Sequence, residues 1–480
     1  MRRTKIVATL GPATTSYESL LALVEAGVDV VRLNFSHGEP DDHRKRIETI
    51  QQAAKDAGQI VAVMADMQGP KIRTGKFIDE SIELQTGDKF ILDVDWPLDQ
   101  GNNERVGVTY AKLAEDLQPA DVLLLDDGRI VLGVEKIDGQ KIHTSVYNGG
   151  TLSNNKGINR RGGGLSAEAL TEKDRADIKI AASLDVDYVA ISFPRSAADI
   201  ELARELVQAA GCDAGIIAKI ERAEALDSID EIIDASDAIM IARGDLGVEI
   251  GDADLPAAQK MLINRARERD TVVITATQMM ESMINSPLPT RAEVFDVANA
   301  VIDGTDAVML SGETAVGKYP DKVVSAMAGI CKSAEQQRVI DGKSHRINTK
   351  FSGTAEAIAM ATMYTANHLD VEVIAALTET GATTLWMSRI SSGNSIYALS
   401  GVEKTLRKVK LYRGVFPCYF PVRADSHAKT NYYVVKHLME KGVIKTDDRL
   451  LITKGDLVGD VGGTNAMKIV DDAQMPTFDV

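Results

Sequence analysis

A (β/α)₈ barrel carrying an inserted all-β lid and followed by a separate α/β domain is the fold class that the sequence predicts. Three observations lead to it. Eight apolar, β-forming runs alternate with segments of helical periodicity. That alternation breaks once, between Met67 and Ala169, where short alternating runs are joined by Asp/Gly turns. It starts again after about His345. A chain of 480 residues is too long for one core and divides accordingly.

The predicted barrel strands are Lys5–Leu10, Val28–Phe35, Ile60–Met67, Val186–Phe193, Ile216–Glu221, Ala238–Arg243, Thr271–Thr277 and Ala307–Ser311. They are apolar runs, as expected for strands buried on both faces of a parallel sheet. Helical stretches such as Ser19–Ala26, His43–Ala57, Ala197–Ala210 and Ala257–Arg269 separate them. An open doubly wound sheet is the alternative, but no GxGxxG opens the first unit. The insertion shows Gly87-Asp88, Asp126-Asp127-Gly128 and Asp138-Gly139 turns around runs such as Ile130–Val134 and Lys141–Val146. Its exit is dense in glycine up to Gly162-Gly163-Gly164, a flexible linker or a hinge for a lid. Thr171 with Asp174 then marks a helix N-cap. The last domain has a helix over Ala355–Leu369 and strands over Val371–Leu377, Ser395–Leu399, Val415–Phe420 and Arg449–Lys454. The expected division is residues 1–67 with 170–344 for the barrel, 68–169 for a β-barrel-like lid, and 345–480 for a C-terminal regulatory and oligomerisation domain.

A formal net charge of −16 repels polyanions, which argues against a nucleic-acid or anionic-membrane surface. Salt screens that field within about 10 Å, so a local cationic cluster in a cleft can still take a small anion. No apolar stretch is long enough to cross a bilayer, and the start enters a strand without a signal segment. Cys212, Cys331 and Cys418 are widely spaced, which suits a reducing compartment. Together these point to the cytoplasm.

In a barrel of this kind the active face lies at the carboxyl ends of the strands. Those ends carry Arg32, Asn34, Ser36 and His37, then Asp66, Lys219 with Glu221, Arg243 with Asp245, Thr277, and Ser311. Glu221 and Asp245 offer hard oxygen ligands suited to Mg²⁺. Lys219 shares a strand face with Glu221 and can neutralise a phosphoryl group in flight. Arg32 offers a planar fork for phosphate, and the Gly244–Asp245 turn offers backbone N–H groups to a carboxylate. Each also has a structural reading: salt bridges for Lys219 and for Arg32 (to Asp66 or Asp245), a plain strand-end hydroxyl for Thr277, and solvent or ligand contact for His37. Metal-dependent aldolases and lyases also hold an enolate between two carboxylates, but lack a nucleotide lid. A non-catalytic metabolite sensor would not need Lys219 or Asp245.

Several motifs are more specific. Arg3-Thr4-Lys5-Ile6-Val7-Ala8-Thr9-Leu10-Gly11-Pro12-Ala13, Arg32-Leu33-Asn34-Phe35-Ser36-His37-Gly38, Lys219-Ile220-Glu221, Ala242-Arg243-Gly244-Asp245-Leu246-Gly247, Thr275-Ala276-Thr277-Gln278-Met279 and Met309-Leu310-Ser311-Gly312-Glu313-Thr314-Ala315 are collinear with those of pyruvate kinases. Over its whole length the chain resembles that family. The resemblance implies phosphoryl transfer from phosphoenolpyruvate to ADP, with Mg²⁺ (or Mn²⁺) on Glu221 and Asp245. It implies Lys219, Arg32 and Thr277 as catalytic residues and Gly244 and Asp245 as further substrate contacts. Nucleotide contacts fall on Asn34, His37, Arg73 and Lys156. The monovalent-cation positions are Asn34, Ser36 and Asp66 with the residue after it. Lys71 stands where many members have a glutamate, as in the K⁺-independent branch, so K⁺ is not expected to be required. Thr378, Thr380, Gly381, Thr383 and Thr384 resemble an effector phosphate loop, with Glu379 an acidic departure, and Gly455–Asn465 reads as a second glycine loop. Activation by a sugar phosphate or nucleotide monophosphate through a homotetramer is the corresponding expectation.

Overall fold

Parallel strands buried on both faces must find neighbours on both edges, and here they do so by closing on themselves. The computed structural model describes residues 1–340, 350–390, 392–421, 426–456 and 461–471. Strands β1 (Lys5–Leu10), β2 (Val30–Asn34), β3 (Ala62–Asp66), β4 (Tyr188–Ile191), β5 (Gly215–Ile220), β6 (Ala238–Ala242), β7 (Val272–Ala276) and β8 (Ala307–Leu310) form a closed barrel in chain order, with β8 paired to β1. All eight predicted strands are present. Most end a residue or two short of the prediction, because Phe35, Phe193, Glu221, Arg243 and Thr277 already turn away at the mouth.

Alternation along each strand sorts the side chains. Val7, Val30, Met64, Ile217, Met240 and Ile274 fill the interior, while Ile6, Val31, Val63, Ile216, Ile239 and Val273 pack outward against the helices. Local signals start and stop those helices. Ser16 caps Tyr17–Ala26 by accepting from Ser19 N, and Gly27 ends it at φ +104°. Thr171 and Asp174 form the expected capping box on Glu172–Ser183.

The insertion is a six-stranded sheet with a separate pair, Ser81–Leu84 with Gly150–Ser153. Beyond the barrel, four parallel strands (Val373–Leu377, Ser395–Ser400, Val415–Tyr419, Arg449–Gly455) form a sheet whose edge is Thr464–Asp471. That last strand is antiparallel and was not foreseen, since the glycines around it read as loop. Gly455 and Thr464–Asn465 belong to the two arms of a hairpin, and residues 457–460 lie outside the described residues, as does the expected boundary at 344/345.

The C-terminal domain docks on the amino-terminal end of the barrel through a repeated device. An aspartate immediately precedes every even-numbered strand: Asp29, Asp187, Asp237 and Asp306. Each accepts the backbone N–H of the second residue of the preceding odd strand, from Ile6, Val63, Ile216 and Val273 at 2.8–2.9 Å. Each also meets a basic side chain of the C-terminal domain: Lys410, Arg407, Lys408 and Arg389 respectively. The Arg389–Asp306 pair is the most buried, with side chains 1% and 2% exposed. Removing one partner strands the other charge in a dry interior, at a cost of about 3–5 kcal/mol. Asp306→Ala is therefore expected to lose that much in chemical denaturation, and a loss below about 1 kcal/mol would contradict this account.

Lys5 lies at the same interface, donating to Val415 O at 2.5 Å with its ammonium 4.6 Å from the Phe416 ring centre. Burial lowers its pKa from 10.5 to about 7. Between those values the unfolded chain holds more protons than the folded one, so stability rises with pH across that window. The wild type is expected to gain in Tm on Lys5→Met as pH is raised from 7 to 10, and a constant difference would refute this.

Candidate active site

The period-two alternation that fills the barrel with Val30, Met64 and Ile217 carries on upward to Arg32, Asp66 and Lys219. These three meet at the top of the interior. Asp66 is fully buried; Arg32 Nε donates to it at 2.6 Å, and Lys219 Nζ lies 3.2 Å from its other oxygen. The Lys219 ammonium is also 3.0 Å from Glu221 and donates to Ser192 Oγ at 2.7 Å. Burial opposes the charge on Lys219, but Asp66 and Glu221 outweigh it and keep the ammonium protonated. The ion pairs expected as structural alternatives for Lys219 and Arg32 are thus formed, inside the same cluster as the catalytic reading requires.

Glu221 accepts from Phe193 N at 2.9 Å and is buried beside Lys219. Burial, with Asp245 and Asp66 adding like charge, pushes its carboxyl above the usual range. Asp245 is half-buried on the first turn of helix Arg243–Ile250 and, among the described residues, carries no side-chain ion pair. Two neighbouring carboxylates short of positive charge fit a divalent cation. Among the described residues no group of three or more His, Cys, Asp or Glu converges. Such a cation would take its other ligands from water and substrate, as Mg²⁺ commonly does.

Thr277 follows β7 with φ +68°, a strained conformation for a β-branched residue. Its hydroxyl accepts from Gly244 N at 2.8 Å, and its carbonyl accepts from Arg243 at 2.7 Å. Arg243 is buried and forked onto Asp296 at 2.6 and 2.8 Å. It therefore braces Thr277 rather than facing the mouth, contrary to its place in the predicted strand-end set. The segment read as a Gly244–Asp245 turn is the N-terminal turn of a helix. Ser311 N is tied down by the buried Glu313 carboxylate at 2.6 Å.

The remaining positions are more dispersed. Asn34 faces Asp66 across the β2–β3 pair, and its side chain accepts from Ser36 N at 3.1 Å; His37 is exposed. Arg73 donates to Asn155 O at 2.8 Å and Lys156 pairs with Asp126 at 2.7 Å, on the two paired segments at the root of the insertion. Among the described residues no hydrogen bond or ion pair joins Asn34 or His37 to Arg73 or Lys156. Lys71 packs beside Gly157 and lines, with Asp245, Phe193, Arg222 and Glu249, a small cleft open to solvent. In the C-terminal loop, Thr378 accepts from Gly381 N, Thr384 donates to Gly381 O, and Thr383 pairs with Thr464, while the exposed Thr380 accepts from Ala382 N at 3.4 Å. Ser192 was missed by the sequence reading. The fourth strand was expected to run to Phe193, but it ends at Ile191, and the reversal to φ +56° at Phe193 turns Ser192 toward Lys219.

Two family models match this arrangement. The pyruvate kinase barrel domain covers residues 1–324, and the pyruvate kinase alpha/beta domain covers residues 356–470. The chain belongs to the pyruvate kinase family. It is 53% identical over 474 residues to pyruvate kinase II of Salmonella typhimurium, covering 98% of each. It is 54% identical over 461 residues to a pyruvate kinase of Haemophilus influenzae, covering 95% of this chain and 96% of the relative. A crystal structure of a pyruvate kinase from Cryptosporidium parvum superposes with TM-score 0.92 at 34% identity, over 99% of this chain and 96% of that one. The chain is thus an enzyme, a phosphotransferase.

Strain at Thr277 gives a test within pyruvate kinase activity. Thr277→Gly relieves the positive φ, a strain of about 1–3 kcal/mol, and removes the hydroxyl. Tm is expected to hold or rise while kcat falls about 100-fold or more. A variant that loses stability with kcat intact would contradict the reading.

Proposed function

We propose that this pyruvate kinase transfers the phosphoryl group of phosphoenolpyruvate to ADP at the mouth of the barrel, giving pyruvate and ATP. The cluster of Arg32, Asp66, Lys219 and Glu221, with Asp245 beside it, is the observation that carries the proposal. Glu221 and Asp245 would hold Mg²⁺ (or Mn²⁺), which when bound supplies a Lewis acid to the substrate's oxygens. Lys219 offsets the charge on the moving phosphoryl group, and Arg32 grips the phosphate as a fork. The backbone N–H of Asp245, at a helix N-terminus, receives the substrate carboxylate, and that of Gly244 joins it by giving up its bond to the Thr277 hydroxyl. The Thr277 hydroxyl lies beside them, where it serves protonation of the enolate.

Asn34 and His37 on the barrel and Arg73 and Lys156 at the insertion contact the nucleotide once residues 68–169 close as a lid and exclude water. Lys71 supplies the positive charge that K⁺ brings elsewhere, at the site of Asn34, Ser36 and Asp66. Residues 1–67 with 170–344 make up the catalytic domain, and 345–480 regulate it. A phosphorylated effector binds at Thr378–Thr384. The loop touches the docking segment, because Thr405 Oγ1 donates to Glu379 O at 2.5 Å and Gly381 packs on Val409. The enzyme works as a homotetramer, a reading supported by exposed Phe295 and Ile302 on one face of Arg291–Asp303. It acts in the cytoplasm; among the described residues no helix is long and apolar enough to cross a membrane.

A coupled pyruvate assay with phosphoenolpyruvate, ADP and Mg²⁺ tests this. Turnover is expected, undiminished when K⁺ is replaced by tetramethylammonium, and abolished in Lys219→Met with its circular dichroism unchanged. A large fall without K⁺ would remove the role of Lys71, and near-normal turnover of Lys219→Met would remove that of Lys219.

A further inference from the structure

Two backbone segments carry the carboxylates assigned to the divalent cation, and both also grip the exit segment of the insertion. On the first, Glu221 is followed by Arg222, whose guanidinium donates to Leu165 O at 2.9 Å and Ala167 O at 3.4 Å. Glu224, on the same segment, accepts from Gly164 N at 3.2 Å. On the second, Glu249 lies one helical turn beyond Asp245 in Arg243–Ile250. Its carbonyl accepts from Gly162 N at 3.1 Å and its carboxylate from Asn159 Nδ2 at 3.3 Å. The same carboxylate accepts from Ala223 N at 2.9 Å, which ties the two segments together. Between these contacts run Gly162, Gly163 and Gly164, all with positive φ. A Cβ on Gly163 would stand 1.8 Å from a Glu224 oxygen, so any larger residue would displace the Glu224 side chain as well as strain a positive φ.

We propose that Arg222 and Glu249 are positioning residues that couple the seating of the lid to the assembly of the metal site. Neither is assigned a contact with substrate. When the 159–167 segment shifts, it pulls on the residue after Glu221 and on the helix bearing Asp245, so the spacing of the two carboxylates follows the lid. By linkage, whatever factor lid seating adds to cation affinity, the cation adds to lid seating. Groups one shell out from a metal typically change its affinity 10–100-fold.

This inference rests on Glu221 and Asp245 as the cation ligands, and the test separates the two. The full-length protein is titrated with Mn²⁺ in the absence of substrates, followed by electron paramagnetic resonance, and hydrogen exchange is measured across residues 162–164 with and without Mn²⁺. Mn²⁺ is expected to slow exchange at Gly162 and Gly164. Arg222→Ala and the milder Glu249→Gln are expected to speed it and to weaken Mn²⁺ about 10-fold or more, with Tm near the wild type in Glu249→Gln, which keeps a hydrogen-bonding oxygen. Faster exchange with unchanged Mn²⁺ affinity overturns the coupling, and so does unchanged exchange in both variants. Glu221→Gln is the control: if it binds Mn²⁺ as well as the wild type, the ligand assignment itself fails.

Discussion

Asp66 cannot be solvated where it sits, and that constraint organises the mouth of the barrel. A buried carboxylate is tolerable only if cations and donors replace its water. Arg32 and Lys219 do so, and in doing so are fixed in place, Lys219 against Glu221 and Ser192 and Arg32 against Thr9. Two cations then face three carboxylates, counting Asp245, and Glu221, buried and with Asp245 and Asp66 adding like charge, holds its proton more tightly than an ordinary acid. The divalent cation proposed for Glu221 and Asp245 would supply the missing positive charge. The site is thus arranged for charge that arrives with the reactants, in keeping with phosphoryl transfer, where positioning and electrostatics do most of the catalysis.

The opposite end of the barrel uses the same chemistry for a different purpose. Asp29, Asp187, Asp237 and Asp306 each satisfy a strand-end N–H and offer an oxygen to the C-terminal domain. Strands β3 and β5 start at this acidic ring and end at Asp66 and next to Glu221. The segment that answers the ring also packs on the loop at Thr378–Gly381. The effector proposed for that loop would act on elements held by the buried pair of Arg389 and Asp306.

Much of this was legible in the chain. The eight strands were readable because both faces are buried, which leaves long apolar runs, and their ends because ionisable residues stop those runs abruptly. The capping box at Thr171 was readable because it is local. Other features were not. The Thr464–Asp471 strand was hidden because its register is set by a partner strand rather than by its own pattern. Ser192 was hidden because an ordinary serine becomes a lysine partner only after Phe193 takes a positive φ. The aspartates before every second strand left a signal, Val28-Asp29-Val30, Val186-Asp187-Tyr188, Ser236-Asp237-Ala238 and Thr305-Asp306-Ala307, whose meaning depends on a domain more than a hundred residues distant for three of them.

By itself, the sequence determined the kinds of groups and their order: hard carboxylates, a lysine two residues from one of them, a forked cation, and an insertion where a lid belongs. Those follow from covalent chemistry and strand periodicity, which are local. Tertiary structure decided which charges meet. It turned Arg243 away to brace Thr277, set Arg32 and Lys219 on one carboxylate, and threaded three glycines between Glu224 and Glu249. The reason is physical: a charge pair's worth depends on separation and on the water excluded around it, and both exist only once distant strands are packed together.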